Sequence, residues 1–593
     1  MTEFPHFVQR GALPARPRVA SWLTPGDAPL ILDKNAWQRG PDRLIHRLRG
    51  EACAISIRTP LAGLILSLGA TAAAWGWLAQ PAPLARPPIS PATKLECVSY
   101  APFRGAQNPL DSSIRIPAEQ IAQDLAQLAR ITGCIRTYSI DNGLDQIPAL
   151  AQKAGLKVIH GLWLSSDRAK NRNQIDVSVA LARDYPGVIT SIVVGNEVLL
   201  RGEMTAAELA GYIRNVKSRV RIPVTYADVW EFWLRHREVF DAVDFVTIHI
   251  LPYWEDFPIK AQHAAAHVDS IRRRMVAAFP NKEILIGETG WPSAGRMREG
   301  ALPSRANQAR VVSDILALAQ RDRFRVNLIE AYDQPWKRQL EGTVGGYWGL
   351  IGDNPRDLKY PPGQPVRDFP LWQWQAGGGM LFCLAVFAVA IGCTRRKPWS
   401  PRLSAWTAVT VTATAGGILV GIAAEKMWIE SLNPGAWVRW GTLFAAAIAA
   451  SLLGARALVA GQSLPTFLAV LGPREQRTRD AATLTLGLAL IVTCLVATEV
   501  ALGLVFDARY RDFPFAALTV AVVPLLGLSL LDRPRDGARP IAEQLFALLL
   551  ACAAVYTAFN EGIANWQALW TCGAFVALAL TLWRARDGQT RES

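Results

Sequence analysis

From residue 376 to the C-terminus the chain is a succession of apolar segments separated by short polar loops. A run of about 20 apolar residues matches the hydrocarbon thickness of a bilayer, and as a helix it satisfies its own backbone hydrogen bonds. Seven such runs lie near 376–393, 404–425, 440–460, 481–506, 514–531, 541–559 and 566–583, and an earlier one spans Leu61 to Ala79. The earlier run follows a long, mostly polar start, whereas a signal peptide needs only a short charged one, so it reads as a retained anchor. Eight spans leave both termini on one side. The composition agrees: 593 residues, 51% hydrophobic, mean hydropathy +0.15.

The net charge of +14 does not point to a nucleic-acid partner, because the basic residues flank apolar runs instead of clustering with aromatics on a folded surface. Arg43, Arg47, Arg49 and Arg58 precede the first run, Arg395, Arg396 and Lys397 follow the second, and Arg584 and Arg586 follow the last. With the N-terminus in the cytoplasm, the loops TRRKPWSPR, GPREQRTRD and DRPRDGAR and the tail RARDGQTR are cytoplasmic, and NEGIANW faces out. DARYRDF, with equal numbers of Arg and Asp, is the one short loop that does not fit. The expected order is a cytoplasmic segment 1–58, an anchor 59–80, an extracytoplasmic domain 93–375 (periplasmic in a Gram-negative cell), an α-helical multi-span membrane domain 376–583 and a cytoplasmic tail 584–593. Glu499 falls inside a span near its outer end and reads as a solvated or snorkelling carboxylate, with a functional intramembrane acid as the alternative. Of eight cysteines, without a CxxC pair, six fall in or near apolar runs. Cys97 and Cys134, in the middle domain, read as buried free thiols, with a disulfide as the alternative.

Between 93 and 375 short Val- and Ile-rich runs alternate with amphipathic stretches. The candidate strands are LECVSYAP, CIRTYS, VIHGLWLS, ITSIVVGNE, VTYADVW, FVTIHILPYW, ILIGETGW and NLIEAYD. Helical patterns separate them, one starting at Pro117 and one with Thr205 as its N-cap. Eight strand–helix units of this size predict an α/β fold, the (β/α)8 TIM barrel, whose chemistry sits at the C-terminal strand ends. Strand four then ends in Asn196 and Glu197 and strand seven in Glu288, so the two acids face each other across the mouth. A facing pair of carboxylates is what glycosidic cleavage uses.

These segments resemble glycoside hydrolase family 17, the β-1,3-glucanase and glucanosyltransferase family, over residues 95 to about 350. ILIGETGWPSAG is similar to the family's nucleophile signature and VVGNEV to its acid/base segment, while EAYDQPWK and EGTVGGYWGL resemble its strand-eight region. The resemblance implies a retaining enzyme with Glu197 as general acid/base, Glu288 as nucleophile and Asn196 bonding the sugar 2-hydroxyl. Tyr226 is expected beside Glu288, and Trp291 in the floor of the site. Arg136 and Tyr138 belong to RTYS, where plant members carry Arg-x-Tyr-Asp; both are expected to bind substrate, and Ser139 in place of the acid leaves the donor-side contacts and linkage open. Tyr253 and Trp336 are further candidates. With Tyr100, Tyr138, Trp163, Trp230 and Trp254 they are mouth aromatics that stack on sugars or simply pack loops. His249 reads as a hydrogen-bonded core histidine.

No P-loop, GxGxxG, HExxH or GxSxG motif occurs, and no metal or organic cofactor is expected. The expected partners are β-glucan, membrane lipid and, to account for the surplus spans, a membrane glucan synthase. Transfer is favoured over hydrolysis because a tethered enzyme suits remodelling of a cell's own glucan. An endo-β-1,3-glucanase is the alternative within the class, and a non-catalytic glucan-binding or export component is the alternative outside it.

Overall fold

The structure is a computed structural model that describes residues 58–84, 89, 94–394, 401–532 and 539–585. Arg43, Arg47, Arg49, Cys53, Arg395, Arg396, Lys397 and Arg586, with most of the DRPRDGAR loop, lie outside the described residues.

Eight strands form a closed parallel barrel in chain order. They are β1 Cys97–Ser99, β2 Cys134–Arg136, β3 Lys157–Leu162, β4 Ile189–Asn196, β5 Val224–Val229, β6 Val246–His249, β7 Ile284–Thr289 and β8 Val326–Leu328. Six lie inside the runs read from the sequence, and β3 and β8 each begin one residue before theirs, at Lys157 and Val326. Side chains alternate across a strand, and in β5 Thr225 and Ala227 point into the barrel while Tyr226 points outward to Trp233. Cys97, Ile159, Val193, Ala227, Phe245 and Leu285 fill the inner layer. The outer core joins the other strand faces to helix stripes such as Ile121–Leu125, Leu209–Ile213 and Val312–Ile315. Side-chain caps start the helices where the sequence turns polar: Asp167 accepts from Ala169 N and Lys170 N, and Thr205 accepts from Glu208 N at 3.2 Å.

Cys97 and Cys134 form a disulfide, which corrects the free-thiol reading. They are the first residues of neighbouring parallel strands, so one βα unit brings their Cα atoms to 4.4 Å. Sequence separation alone hides that adjacency.

Among the described residues, seven helices are long and apolar enough to cross a membrane: Arg58–Leu78, Trp372–Thr394, Leu403–Glu430, Pro434–Ala460, Ala481–Phe506, Ile541–Glu561 and Trp566–Trp583. Phe515–Leu531, the remaining expected span, is apolar but has 17 residues. Glu499 pairs with Arg439 of the helix Pro434–Ala460 at 2.7 Å, with nearly half its side chain exposed.

The barrel meets the helix bundle through the loops that follow its strands. After β7, Arg296 bonds Ala508 O and pairs with Glu561 at 2.5 Å, while the Met297 N–H donates to the Gln567 side chain and the Met297 carbonyl accepts from the Asn565 side chain. After β8, Arg338 bonds Ile429 O and Thr343 donates to Asp512 at 2.6 Å. The barrel mouth therefore faces the helix ends. The loop DARYRDF explains its own charge balance here: Arg511 pairs with Asp507, and Asp512 takes the Thr343 bond.

Candidate active site

Glu288 is the next-to-last residue of β7 and is 5% exposed. Its Oε1 accepts from Arg136 Nη1 at 2.9 Å and from Tyr138 OH at 2.8 Å. Arg136 closes β2, is completely buried, and also donates to Gly287 O and, at 2.5 Å, to Asn196 Oδ1. One guanidinium thus fixes residues from β4 and β7 together. A Cβ on Gly287 would meet Thr247 Cγ2 at 2.4 Å, so only glycine lets the strand pass this close to β6.

Glu197 follows β4 with φ +54°, a left-handed conformation that costs a non-glycine residue about 1 kcal/mol or more. The turn starts at Gly195, φ +85°, and is held by the Glu197 N–H donating to Ala227 O. Glu197 Oε1 lies 2.7 Å from His249 Nδ1, and His249 Nε2 lies 3.5 Å from Glu288 Oε1. His249 is therefore a buried, hydrogen-bonded histidine, as its strand position suggests, but it stands between the two acids. One ligand atom from each of the three lies within 4.8 Å of the others. Such a trio has the donor set for a metal ion, yet Arg136 already places a cation on Glu288.

Burial works to raise the Glu197 carboxyl. The hydrogen bond and charge of His249, with Arg201 and Arg136 beyond, outweigh it and hold the group below the usual carboxylate range. Burial and the Glu288 charge raise the Tyr138 phenol, keeping it a donor. On the β8 side Lys337 donates to both oxygens of buried Glu330, at 3.0 and 3.1 Å. Burial opposes the Lys337 charge, but Glu330, Glu341 and Glu288 hold its ammonium above the lysine range. Burial chiefly raises Glu341, with help from the Glu197 and Glu288 charges.

Asn196, Arg136 and Tyr138 thus converge on the acids. Tyr226 does not: its hydroxyl donates to Asp228 and accepts from Leu199 N, because its strand parity turns it outward. Trp291 is fully buried, with its Nε1 bonded to Leu302 O, so it offers no face to a ligand. Tyr253 is also fully buried, its hydroxyl bonded to Arg296 O, and Tyr100 is bound to Asp124. Trp336, Trp163, Trp230 and Trp254 keep part of their surface open. The Glu330–Lys337 pair and Glu341 were not singled out from sequence. An acid and a lysine seven residues apart around a turn carry no signal until the turn is folded.

Residues 97–349 match the family model described as the BtgE/BtgC glycoside hydrolase domain. The barrel is similar to proteins of glycoside hydrolase family 17. The probable family 17 glucosidase SCW4 of Saccharomyces cerevisiae is 25% identical over 43% of this chain and 65% of its own length. The probable beta-glucosidase btgE of Aspergillus flavus is 29% identical over 39% of each chain. The chain thus spans less than two thirds of these relatives. The family 17 β-1,3-glucanosyltransferase of Rhizomucor miehei has 25% sequence identity and a TM-score of 0.40, covering 46% of this chain and 97% of that one.

Proposed function

We propose that the barrel cleaves β-1,3-glucan with retention and passes the cleaved chain to a second sugar, tethered to a membrane by its apolar helices. The observation that carries this reading is the Glu197–Glu288 pair at the barrel mouth, with oxygens within 4.8 Å, near the roughly 5–5.5 Å carboxyl separation of retaining enzymes. Glu288 attacks the anomeric carbon as the glycosidic C–O bond breaks, and Glu197 gives its proton to the departing oxygen. The ester on Glu288 is then displaced by a sugar hydroxyl or water, whose proton returns to Glu197. Substrate seated between the acids separates Glu197 from His249, removing the contact that keeps its carboxyl low. With its Oδ1 held by Arg136, Asn196 has its amide N–H groups left for the sugar 2-hydroxyl. Arg136 and Tyr138 orient the nucleophile, and the part-open Trp336 offers a face to a glucosyl ring.

Hydrolysis and transfer share the Glu288 adduct and differ in whether water or a bound acceptor arrives first. A tether favours transfer, on glucan made nearby, in which case a membrane glucan synthase is the natural neighbour. The full chain in mild detergent, given short β-1,3-gluco-oligosaccharides, should produce chains longer than the substrate. Shorter products alone leave the endo-glucanase reading. Glu288→Gln should abolish both outcomes, and Glu197→Gln should slow poor leaving groups by about 10²–10⁴. Parental turnover in either variant excludes the assignment.

A further inference from the structure

We propose that the loop joining the helices Ala481–Phe506 and Phe515–Leu531 is one wall of the glucan cleft, with Arg509 and Tyr510 completing an outer sugar subsite around Trp254. The inference rests on the β-glucan reading above and adds to it a binding role for the apolar half of the chain.

The loop is pinned on both sides of these two residues. Arg296 bonds Ala508 O, and Asp512 accepts from Thr343 at 2.6 Å. Behind the pins, Phe513 is fully buried under the Arg296 guanidinium, 4.8 Å from its ring centre. The pinning requires close approach: a Cβ on Gly342, φ +71°, would meet Tyr510 O at 2.6 Å. Arg509 and Tyr510 are thus presented at a fixed place beside the barrel mouth.

What they present suits a sugar. Tyr510 meets Trp254 edge to face at 6.2 Å, and the Arg509 guanidinium lies 5.8 Å from the Trp254 ring centre and 5.6 Å from that of Tyr510. Trp254 and Tyr510 are half-buried and Arg509 is exposed. The other charged groups of the loop are spoken for, Arg511 by Asp507 and Asp512 by Thr343. Arg509 has no ion pair or hydrogen bond among the described residues. An aromatic face beside an oriented guanidinium with free N–H donors is the pairing that binds a pyranose, its C–H face on the ring and its hydroxyls on the donors. The subsite adjoins the loop after β8: Gly342, which Tyr510 O approaches, directly follows Glu341. An interface that served only to dock the barrel would use Arg296, Asp512 and Phe513 and would have no call for an unpaired arginine beside two half-buried aromatics.

The test uses the full chain in detergent. Affinity for β-1,3-gluco-oligosaccharides of increasing length is measured by tryptophan fluorescence in the Glu288→Gln background, beside cleavage by the parent. Arg509→Ala and Tyr510→Ala should each weaken binding of long oligosaccharides by about tenfold, the equivalent of one lost contact of about 1.4 kcal/mol. The shortest oligosaccharide that binds should weaken by less than twofold, because it does not reach the loop. Arg509→Lys, which keeps charge and donors, should recover part of the loss. Equal affinity in variants and parent at every length overturns the subsite. So does a loss independent of length, which marks a structural role. An unchanged length dependence with vigorous cleavage sinks this inference alone, whereas a parent that binds the sugars but cuts none of them sinks the reaction above.

Discussion

Asp228 shows what one buried acid does beside the catalytic pair. It ends β5's outward row, where Tyr226 OH, Val229 N and Leu200 N donate to it, so it holds the chain just after Glu197. Burial first, and then the Glu197 charge, push its carboxyl up to about 7, against the pull of Tyr226 and His249. A raised acid holds its proton in the native state after the unfolded chain has released it. Its burden on stability is absent below the unfolded value of about 4, grows as pH rises toward 7, and is constant above. Asp228→Asn should therefore gain melting temperature relative to the parent as pH climbs through that window, on top of a constant loss from the weaker acceptor. A difference flat in pH refutes the account. Sequence reading singled out Glu197 and Glu288 because an acid at a barrel strand end stands out. It misplaced Tyr226, since facing inward or outward turns on a one-residue parity that only the register fixes. It read His249 as a hydrogen-bonded core histidine, which it is, but could not name its partners, because the acids it joins come from β4 and β7.

At the scale of elements, short Val- and Ile-rich runs between helical patterns made all eight strands legible, since burying both strand faces demands near-continuous apolar runs instead of alternation. The disulfide was not legible, because adjacency in a parallel sheet is a property of topology. It closes a separation of 37 residues, for which chain entropy predicts about 4 kcal/mol. Cys97→Ser should lower the urea midpoint of the barrel transition accordingly, and reductant should do the same to the parent but nothing further to the variant. Equal midpoints with and without reductant would show that the bridge contributes nothing.

For the whole molecule, eight apolar runs and the arginines around them set the expected orientation. Every helix end that meets the barrel is an end the charge pattern places outside. A reporter active only outside the cytoplasm should light up when fused after residue 370 and stay dark after Arg396; the reverse would put the barrel in the cytosol. DARYRDF had looked like an exception to the charge rule. Ala508 and Asp512 of this loop bond the barrel and Arg511 pairs with Asp507 within it, constraints no count of loop charges contains.

A barrel whose open end is turned toward its own helix ends cannot be loaded from above. The Arg296, Thr343 and Gly342 contacts hold the loops after β7 and β8 against those ends, so one side of the approach to Glu288 is walled by the chain's own apolar half.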